Sequence, residues 1–272
     1  MITFPKAKVN IGLRIIRKRS DGFHDIETLF YPVNLCDALE FVVCPGKPSA
    51  DELTVTGIDI KASPDKNLVI KALKKLREKY PVPFLRIHLH KAIPSGAGLG
   101  GGSSDAASIL RSVNRGFNLS ISEEDLRAYA LELGSDCPFF IDPLPSVATG
   151  RGEVITRVNP ILEGYHIVLI NPGIHIGTRD AYLNSNPSMH DSKLEQLVAK
   201  NPVEWKRFIK NDFEDYVFSI YPEIKEIKRS LYRSGAIYAS LSGSGSTVYG
   251  IFDKKPEPGR KLASHVIYTG TL

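Results

Sequence analysis

The strongest constraint on the fold is a glycine-rich segment that runs directly into a helical pattern. Between Pro94 and Asp105 the sequence reads PSGAGLGGGSSD, with five glycines in seven positions. Glycine loses the most conformational freedom on folding, so such a segment is expected where the backbone must approach a ligand closely or take positive φ. Free amide groups at the start of the following helix favour a phosphate group. The segment therefore predicts a phosphate-binding loop.

Known phosphate loops differ from this segment in sequence or in context. A Walker A loop needs a lysine before its final serine, where this chain has Gly102. The fingerprint GxGxxG is present from Gly96 to Gly101, but the acidic residue expected about 20 positions on would fall in a helical pattern rather than at a strand end. Protein-kinase VAIK, HRD and DFG elements are missing from the sequence. A nicotinamide-dependent oxidoreductase stays open on GxGxxG alone.

Composition is typical of a globular protein. Of the 272 residues, 42% are apolar and 24% are charged, which excludes a disordered or collagen-like chain. The net charge of +5 fits either a nucleic-acid binder or an enzyme that handles polyanionic small molecules. The sequence shows no apolar stretch of the roughly 18 residues that a transmembrane helix needs, and no secretory pattern. Its three cysteines have no CxxC spacing. We therefore expect a cytoplasmic protein without a membrane partner or disulfide framework.

Hydrophobic periodicity predicts both strands and helices. Alternation over 9–15 predicts a half-buried strand, and alternation over 84–90 predicts another. Apolar spacing from Val69 to Tyr80 predicts an amphipathic helix, and Ser122 opens a capping box. Further strands are predicted at 41–43, 53–55, 165–170, 236–240 and 247–252, and further helices around 106–113, 126–133, 194–198, 205–209 and 224–231.

Three segments together resemble the motifs of the GHMP kinases, the family of galactokinase, homoserine kinase, mevalonate kinase and phosphomevalonate kinase. PKAKVN at 5–10 resembles the first motif, PSGAGLGGGSS at 94–104 the second, and LSGSGS at 241–246 the third. The resemblance implies an α+β fold of two-layer α/β character, the GHMP-kinase fold. It also implies an N-terminal ATP-binding domain at 1–157, a C-terminal domain at 158–272, and an active site in the cleft between them.

Other segments narrow the resemblance within the family. DGFH at 21–24, the triple glycine of GLGGGSSDAA, and LGSDCPFF at 133–140 resemble members that phosphorylate the 2-hydroxyl of a cytidine-diphosphate-linked polyol. Those members serve a route to isoprenoid precursors. The resemblance implies ATP as the phosphate donor and a small-molecule substrate. We expect no nucleic-acid partner, and a monomer or weak homodimer.

The resemblance also assigns catalytic roles. Phosphoryl transfer to an alcohol needs an orienting carboxylate and charge neutralisation. Asp136 matches the residue that takes or orients the hydroxyl proton, and Lys8 matches the one that keeps this carboxylate ionised and stabilises developing charge. Asn10 lies two residues after Lys8 on a predicted strand, so both side chains point to one face. By resemblance, Asn10 holds the polyol.

The remaining substrate contacts follow from the same resemblance. Phe23 would stack on one face of the cytosine and Tyr182 on the other, while His24 would bind the base or neighbouring polar groups. The family often has tyrosine at the position of Phe23. Phenylalanine keeps the aromatic ring for stacking but lacks the tyrosine hydroxyl. Thr178 is expected near the polyol or Asp136. Gly243 and Gly245 are expected near the transferred phosphate or the substrate diphosphate.

The nucleotide contacts are expected mainly in the second motif. The predicted ATP-binding residues are Pro94, Ser95, Gly96, Ala97, Gly98, Leu99, Gly100, Gly101, Gly102, Ser103 and Ser104, together with Asn67 and Lys91 at the adenine or ribose. No acidic cluster shows metal-ligand spacing, so Mg²⁺ is expected to arrive as Mg-ATP with few protein ligands. His88 and His90 share one side of a strand, but no third metal ligand is evident nearby.

Two further alternatives stay open. A GHMP kinase acting on a non-nucleotide alcohol would share the three motifs, although DGFH and the aromatic pair argue against it. An RNA-binding module would rest on the net charge and on the lysines of the predicted helix at 69–80. It predicts a steep salt dependence of RNA affinity, but the helix lacks interleaved aromatic residues.

Overall fold

The chain forms two compact units, each assembled from separate segments. The computed structural model describes residues 1–46, 48–59, 63–256 and 263–272. Unit 1 comprises Met1–Ala7, Leu35–Ser95 and Gly100–Pro143; unit 2 comprises Lys8–Asn34, Gly96–Leu99 and Leu144–Leu272. The glycine-rich segment therefore contributes residues to both units. The division of the chain into domains at residues 157 and 158 stays a prediction.

The elements of the described residues are as follows. The strands are β1 (Ile2–Thr3), β2 (Lys6–Lys18), β3 (His24–Cys36), β4 (Ala38–Val43), β5 (Glu52–Gly57), β6 (Leu85–Lys91), β7 (Ser146–Thr149), β8 (Val154–Arg157), β9 (His166–Ile170), β10 (Tyr238–Leu241), β11 (Val248–Phe252) and β12 (Val266–Thr271). The α-helices are α1 (Leu68–Arg77), α2 (Gly101–Gly116), α3 (Glu123–Leu133), α4 (Thr178–Leu183), α5 (Leu194–Val198), α6 (Phe213–Ile220) and α7 (Pro222–Arg233). Short 3-10 helices cover Pro64–Lys66, Cys137–Ile141, Pro202–Arg207 and Ala263–His265.

Unit 1 combines a mixed sheet with three mutually packed helices. The sheet has the order β1-β4-β6-β5, in which β4 is antiparallel and β5 parallel to β6. Leu85, Ile87 and Leu89 of β6 are buried while Arg86 and His90 are exposed, which confirms the predicted alternation. Helices α1, α2 and α3 pack against one another. The carboxyl end of β6 leads into the glycine-rich segment, and α2 follows it.

Helix starts in unit 1 agree with the sequence signals. Asn67 caps α1, with its Oδ1 accepting from the amide of Val69 at 2.9 Å. The hydroxyl of Ser122 caps α3 and accepts from the amide of Asp125 at 3.0 Å. Such caps satisfy amide groups that have no partner within the helix.

Unit 2 holds two further four-stranded sheets, β2-β3-β7-β8 and β10-β11-β9-β12. An apolar core cluster joins strand residues such as Leu13 and Val248 to helix residues such as Phe213 and Ile224. The strand pair β10 and β11 is antiparallel, which confirms the predicted hairpin with a glycine-rich turn. No helix of the described residues is long and apolar enough to cross a membrane.

The prediction that the first strand is half-buried was wrong. All of the residues from Lys8 to Leu13 are buried, on both faces of β2. Alternation of apolar and polar residues fails here because the polar side chains find partners inside unit 2. The guanidinium of Arg14, for example, donates to the carbonyl of Ser192 at 2.6 Å and to Glu27 at 3.2 Å.

Candidate active site

The first motif places two polar side chains together inside unit 2. The ammonium of Lys8 donates to Asn10 Oδ1 at 2.5 Å and to the carbonyl of Gly98 at 3.2 Å. It also lies 5.0 Å from the centre of the Phe30 ring. The side-chain amide nitrogen of Asn10 donates a hydrogen bond to Thr28 Oγ1 at 3.0 Å. Lys8 and Asn10 are 3% and 2% exposed, so these contacts fix both side chains on one face of β2, as predicted.

The tip of the glycine-rich segment meets the third motif in the same unit. The hydroxyl of Ser242 donates to the carbonyl of Gly98 at 2.8 Å and accepts from the backbone amide of Asn10 at 3.2 Å. A Cβ atom on Gly98 would lie only 1.9 Å from the carbonyl oxygen of Ser242, and one on Gly243 would lie 3.3 Å from the Gly98 Cα. Parts of all three motifs therefore converge, and the approach requires glycine.

Asn211 supports this junction and was missed by the sequence reasoning. Its buried amide donates to the carbonyls of Leu241 at 2.9 Å and Gly243 at 2.8 Å. The loop that carries the third motif is thus held by hydrogen bonds from a side chain 30 or more positions earlier in the chain. A single asparagine before an unpredicted helix gives no sequence signal for this role.

In unit 1 the start of α2 lies next to the turn that carries Asp136. Gly100 precedes the helix with φ of 72°, a left-handed conformation that favours glycine. The hydroxyl of Ser103 hydrogen-bonds the thiol of Cys137, the residue directly after Asp136. Burial raises the pKa of Cys137 to about 11, so this thiol stays protonated near neutral pH. Asp136 itself is half-buried at the start of the 3-10 helix Cys137–Ile141.

The residues expected to hold the cytosine already stack on other groups of unit 2. The Phe23 ring is 50% exposed, and the guanidinium of Arg151 lies 4.7 Å from its centre. The rings of His24 and Tyr182 are stacked, with centres 4.8 Å apart and an angle of 17°. Burial lowers the pKa of His24, and the charge of Lys18 lowers it further; both effects favour the neutral imidazole.

Thr178 also lies beside the third motif. As the first residue of α4, it places its hydroxyl 3.1 Å from Ser244 Oγ. Gly245 has φ of 95°, and a Cβ there would lie 2.9 Å from the side chain of Ile176. The structure thus brings the predicted Thr178, Gly243 and Gly245 into one neighbourhood of unit 2.

Two predicted nucleotide contacts are engaged within unit 1. The side-chain oxygen of Asn67 caps α1, as described above. The ammonium of Lys91 is 3% exposed and hydrogen-bonds the carboxylates of Asp37 and Asp105. The described part of the chain contains no group of three or more His, Cys, Asp or Glu side chains placed to hold a metal ion. His88 and His90 instead both contact Thr56 Oγ1, at 2.8 and 3.0 Å.

Comparison with known proteins identifies the family. The family model for the GHMP kinases N terminal domain matches residues 67–142, and that for the GHMP kinases C terminal domain matches residues 194–266. The 4-diphosphocytidyl-2-C-methyl-D-erythritol kinase of Bacteroides fragilis is 47% identical over 252 residues, which cover 93% of this chain and 92% of that protein. The chain belongs to the GHMP kinase family. The predicted GHMP-kinase fold of α+β class is thereby confirmed.

Other GHMP kinases extend the comparison. The protein of the same name from Azobacteroides pseudotrichonymphae is 48% identical, with 95% of this chain and 96% of that protein covered. A crystal structure of 4-(cytidine 5'-diphospho)-2C-methyl-D-erythritol kinase superposes with a TM-score of 0.78 at 29% identity, covering 99% of this chain and 97% of the other. A homoserine kinase from Cytophaga hutchinsonii, at 16% identity and a TM-score of 0.62, shares the fold, with 96% and 88% covered.

Proposed function

We propose that the protein uses ATP to phosphorylate the 2-hydroxyl of 4-diphosphocytidyl-2-C-methyl-D-erythritol, on a route to isoprenoid precursors. The observation that carries the proposal is the similarity, at 47% identity over 93% of the chain, to a kinase named for this substrate. The convergence of Lys8, Gly98 and Ser242 supports a kinase of this family. We further propose that the protein acts in the cytoplasm.

Asp136 and Lys8 are the proposed catalytic residues. Asp136 would accept or orient the proton of the attacking hydroxyl, and Lys8 would stabilise the negative charge that develops on the transferred phosphoryl group. The buried contacts of Lys8 to Asn10 and Gly98 support this role, because they fix the ammonium without requiring it to move. Preorganised charge of this kind is worth more than the same charge in water.

ATP would bind at the glycine-rich segment and the start of α2. The amide groups of a helix N-terminus and its dipole favour phosphate. The predicted loop at residues 94–104 would let the phosphates of ATP come close to these amide groups. Mg²⁺ would arrive bound to ATP and neutralise part of the phosphate charge. Asn67 would contact the adenine or ribose. Lys91 was predicted to do the same, but its ammonium is buried and hydrogen-bonded to Asp37 and Asp105, so it would instead support the loop from within unit 1.

The cytidine end of the substrate would bind at Phe23, His24 and Tyr182. Because Arg151 and His24 lie against the two aromatic rings, the cytosine would take the place of one of these stacked groups or use the opposite face of Phe23. Asn10 and Thr178 would hold the polyol, and the glycines at 243 and 245 would line the phosphate path.

The proposal is tested by ADP release from Mg-ATP with a panel of alcohols. We expect turnover with 4-diphosphocytidyl-2-C-methyl-D-erythritol and none above background with mevalonate, homoserine or galactose. Activity on another alcohol alone would keep the kinase assignment and overturn the roles of Phe23, His24 and Tyr182. A folded protein that releases no ADP with any alcohol would contradict the proposal as a whole.

A further inference from the structure

A buried ion cluster of Asp37, Lys91 and Asp105 lies at the base of the glycine-rich segment in unit 1. The Lys91 ammonium hydrogen-bonds the Asp37 carboxylate and lies 2.7 Å from Asp105 Oδ2. Lys91 and Asp105 are 3% exposed, and Asp37 is fully buried. Lys91 ends β6, Asp37 connects β3 to β4, and Asp105 belongs to α2. The cluster therefore ties three elements together where the segment begins and ends.

The cluster contacts the backbone on both sides of the segment. Asp37 Oδ1 accepts from the amides of Ala92 at 2.7 Å and Ile93 at 2.8 Å, directly before Pro94. At the other end, a Cβ on Gly101 would lie 3.3 Å from the Lys91 ammonium. The first residue of α2 thus packs directly on the cluster, whose charge acts at the helix N-terminus.

The cluster contains one more negative group than positive. Both oxygens of Asp37 have donors, namely Lys91 and two backbone amides. Asp105 Oδ1, in contrast, is buried and has no hydrogen-bond partner among the described residues. An ionised oxygen in that position is costly, and a proton on the carboxyl group removes the excess charge. Of the two carboxyl groups in the cluster, that of Asp105 is therefore the one that takes up a proton more readily.

The groups facing Asp105 act on it in opposite directions. Burial raises the pKa of Asp105, Lys91 lowers it and Asp37 raises it, and together they place it at about 7. On the neighbouring α1, Lys71 and Lys74 are exposed. On the 3-10 helix Cys137–Ile141, the thiol of Cys137 meets Ser103 rather than the cluster. The carboxyl group therefore changes its charge close to neutral pH.

We propose that Asp105 is a positioning residue for the ATP phosphates, and that its carboxyl group takes up a proton from solvent when ATP binds at the start of α2. The inference rests on the proposed function, because it takes this helix end as the phosphate site. An ionised Asp105 places negative charge in the first turns of that helix and repels phosphate. The protonated form leaves Lys91 balanced by Asp37 alone. By linkage, bound phosphate in turn favours the protonated form.

The expected effect is a pH-dependent affinity for ATP. If bound phosphate raises the pKa of Asp105 by about one unit, ATP binds about tenfold more tightly at pH 6 than at pH 9. Between these limits, part of a proton is taken up per ATP bound. The affinity for the cytidine substrate has no such coupling.

Calorimetric titration of the full chain with Mg-ATP at pH 7.5, in two buffers of different ionisation enthalpy, measures this proton. We expect wild type to take up about half a proton more than Asp105→Asn, which keeps the shape and removes the titration. Asp191→Asn, at an exposed position, serves as the matched control and should behave as wild type. Protons exchanged by the nucleotide itself are the same for all three proteins and cancel in the comparison.

The outcomes separate the inference from the proposed function. Equal proton uptake by wild type and Asp105→Asn, with both proteins binding ATP, would overturn the role of Asp105 and leave the kinase proposal standing. A folded wild type that binds no ATP would overturn both. If Asp105→Asn does not fold, the wild-type KM values decide: we expect KM for ATP to rise from pH 6.5 to pH 8.5 more than KM for the cytidine substrate. Parallel changes in both would contradict the inference.

Discussion

Gly98 gives the sharpest test of the convergence of the motifs. Its φ is +78°, and a Cβ atom there would lie 1.9 Å from the carbonyl oxygen of Ser242 and 2.8 Å from the carbonyl carbon. Both atoms belong to the backbone, so no side chain can turn away to relieve the contact. The left-handed conformation costs an alanine about 1–2 kcal/mol, and overpacking adds about 1–3 kcal/mol. We therefore expect Gly98→Ala to lower the free energy of unfolding by about 2–5 kcal/mol.

Gly102→Ala is the matched control within the same glycine-rich segment. A Cβ on Gly102 would meet only the Leu68 side chain, at an ordinary 3.7 Å, and alanine favours a helix over glycine by about 1 kcal/mol. Its unfolding midpoint in urea should equal or exceed that of wild type. Fluorescence of the fully buried Trp205 and far-UV circular dichroism report the transitions. A Gly98→Ala protein that unfolds at the wild-type midpoint would refute the close approach of the two backbones.

Three further predictions follow from buried charges and from stacking. Arg77→Met leaves the buried carboxylate of Asp51 without its two 2.6 Å hydrogen bonds from the guanidinium and should lower the free energy of unfolding in urea by about 3–5 kcal/mol. Arg86→Met, which removes the exposed pair with Glu52, should lower it by at most about 1 kcal/mol, and equal losses from the two variants would contradict this. Phe23→Leu should raise KM for the cytidine substrate about 5- to 150-fold through lost stacking with KM for ATP unchanged, and an unchanged KM for the cytidine substrate would exclude Phe23 from the base site. The pKa of Asp105 is raised in the folded state to about 7, so the folded protein binds more protons than the unfolded chain and its stability falls as pH rises from about 4 to 7. Asp105→Asn should lose less stability than wild type between pH 5 and pH 8. Urea midpoints that change in parallel for the two proteins would contradict the burial of this charge.

Much of the fold could be predicted from local sequence signals. The helices α1, α2 and α3 follow the predicted apolar spacing, and Ser122 caps α3 as its sequence context indicates. These signals succeed because capping and amphipathicity act between residues close in sequence. The short helices α4 and α6 were not predicted, because only Ala181 of α4 is buried and the buried set of α6 includes the charged Glu214, so neither shows a clear apolar period.

The candidate site was predictable where backbone conformation demands glycine. Gly98, Gly100 and Gly243 all have positive φ. The glycine-rich sequence at these positions indicates such a backbone conformation. The supporting polar residues could not be predicted in the same way. Asn211 and Asp37 act through hydrogen bonds to backbone groups that are distant in sequence, and neither lies in a pattern of its own. The stacking of His24 on Tyr182 likewise depends on tertiary packing.

The measurement that tests the central claim most directly is phosphorus NMR of the product formed from Mg-ATP and 4-diphosphocytidyl-2-C-methyl-D-erythritol. Wild type should produce one new phosphomonoester resonance per ADP, with the two diphosphate resonances of the substrate retained. Asp136→Asn, nearly the same in shape but unable to accept the proton, should form this product slower by orders of magnitude. Loss of the diphosphate resonances would contradict the assigned reaction. Equal product formation by wild type and Asp136→Asn would contradict the assigned catalytic residue.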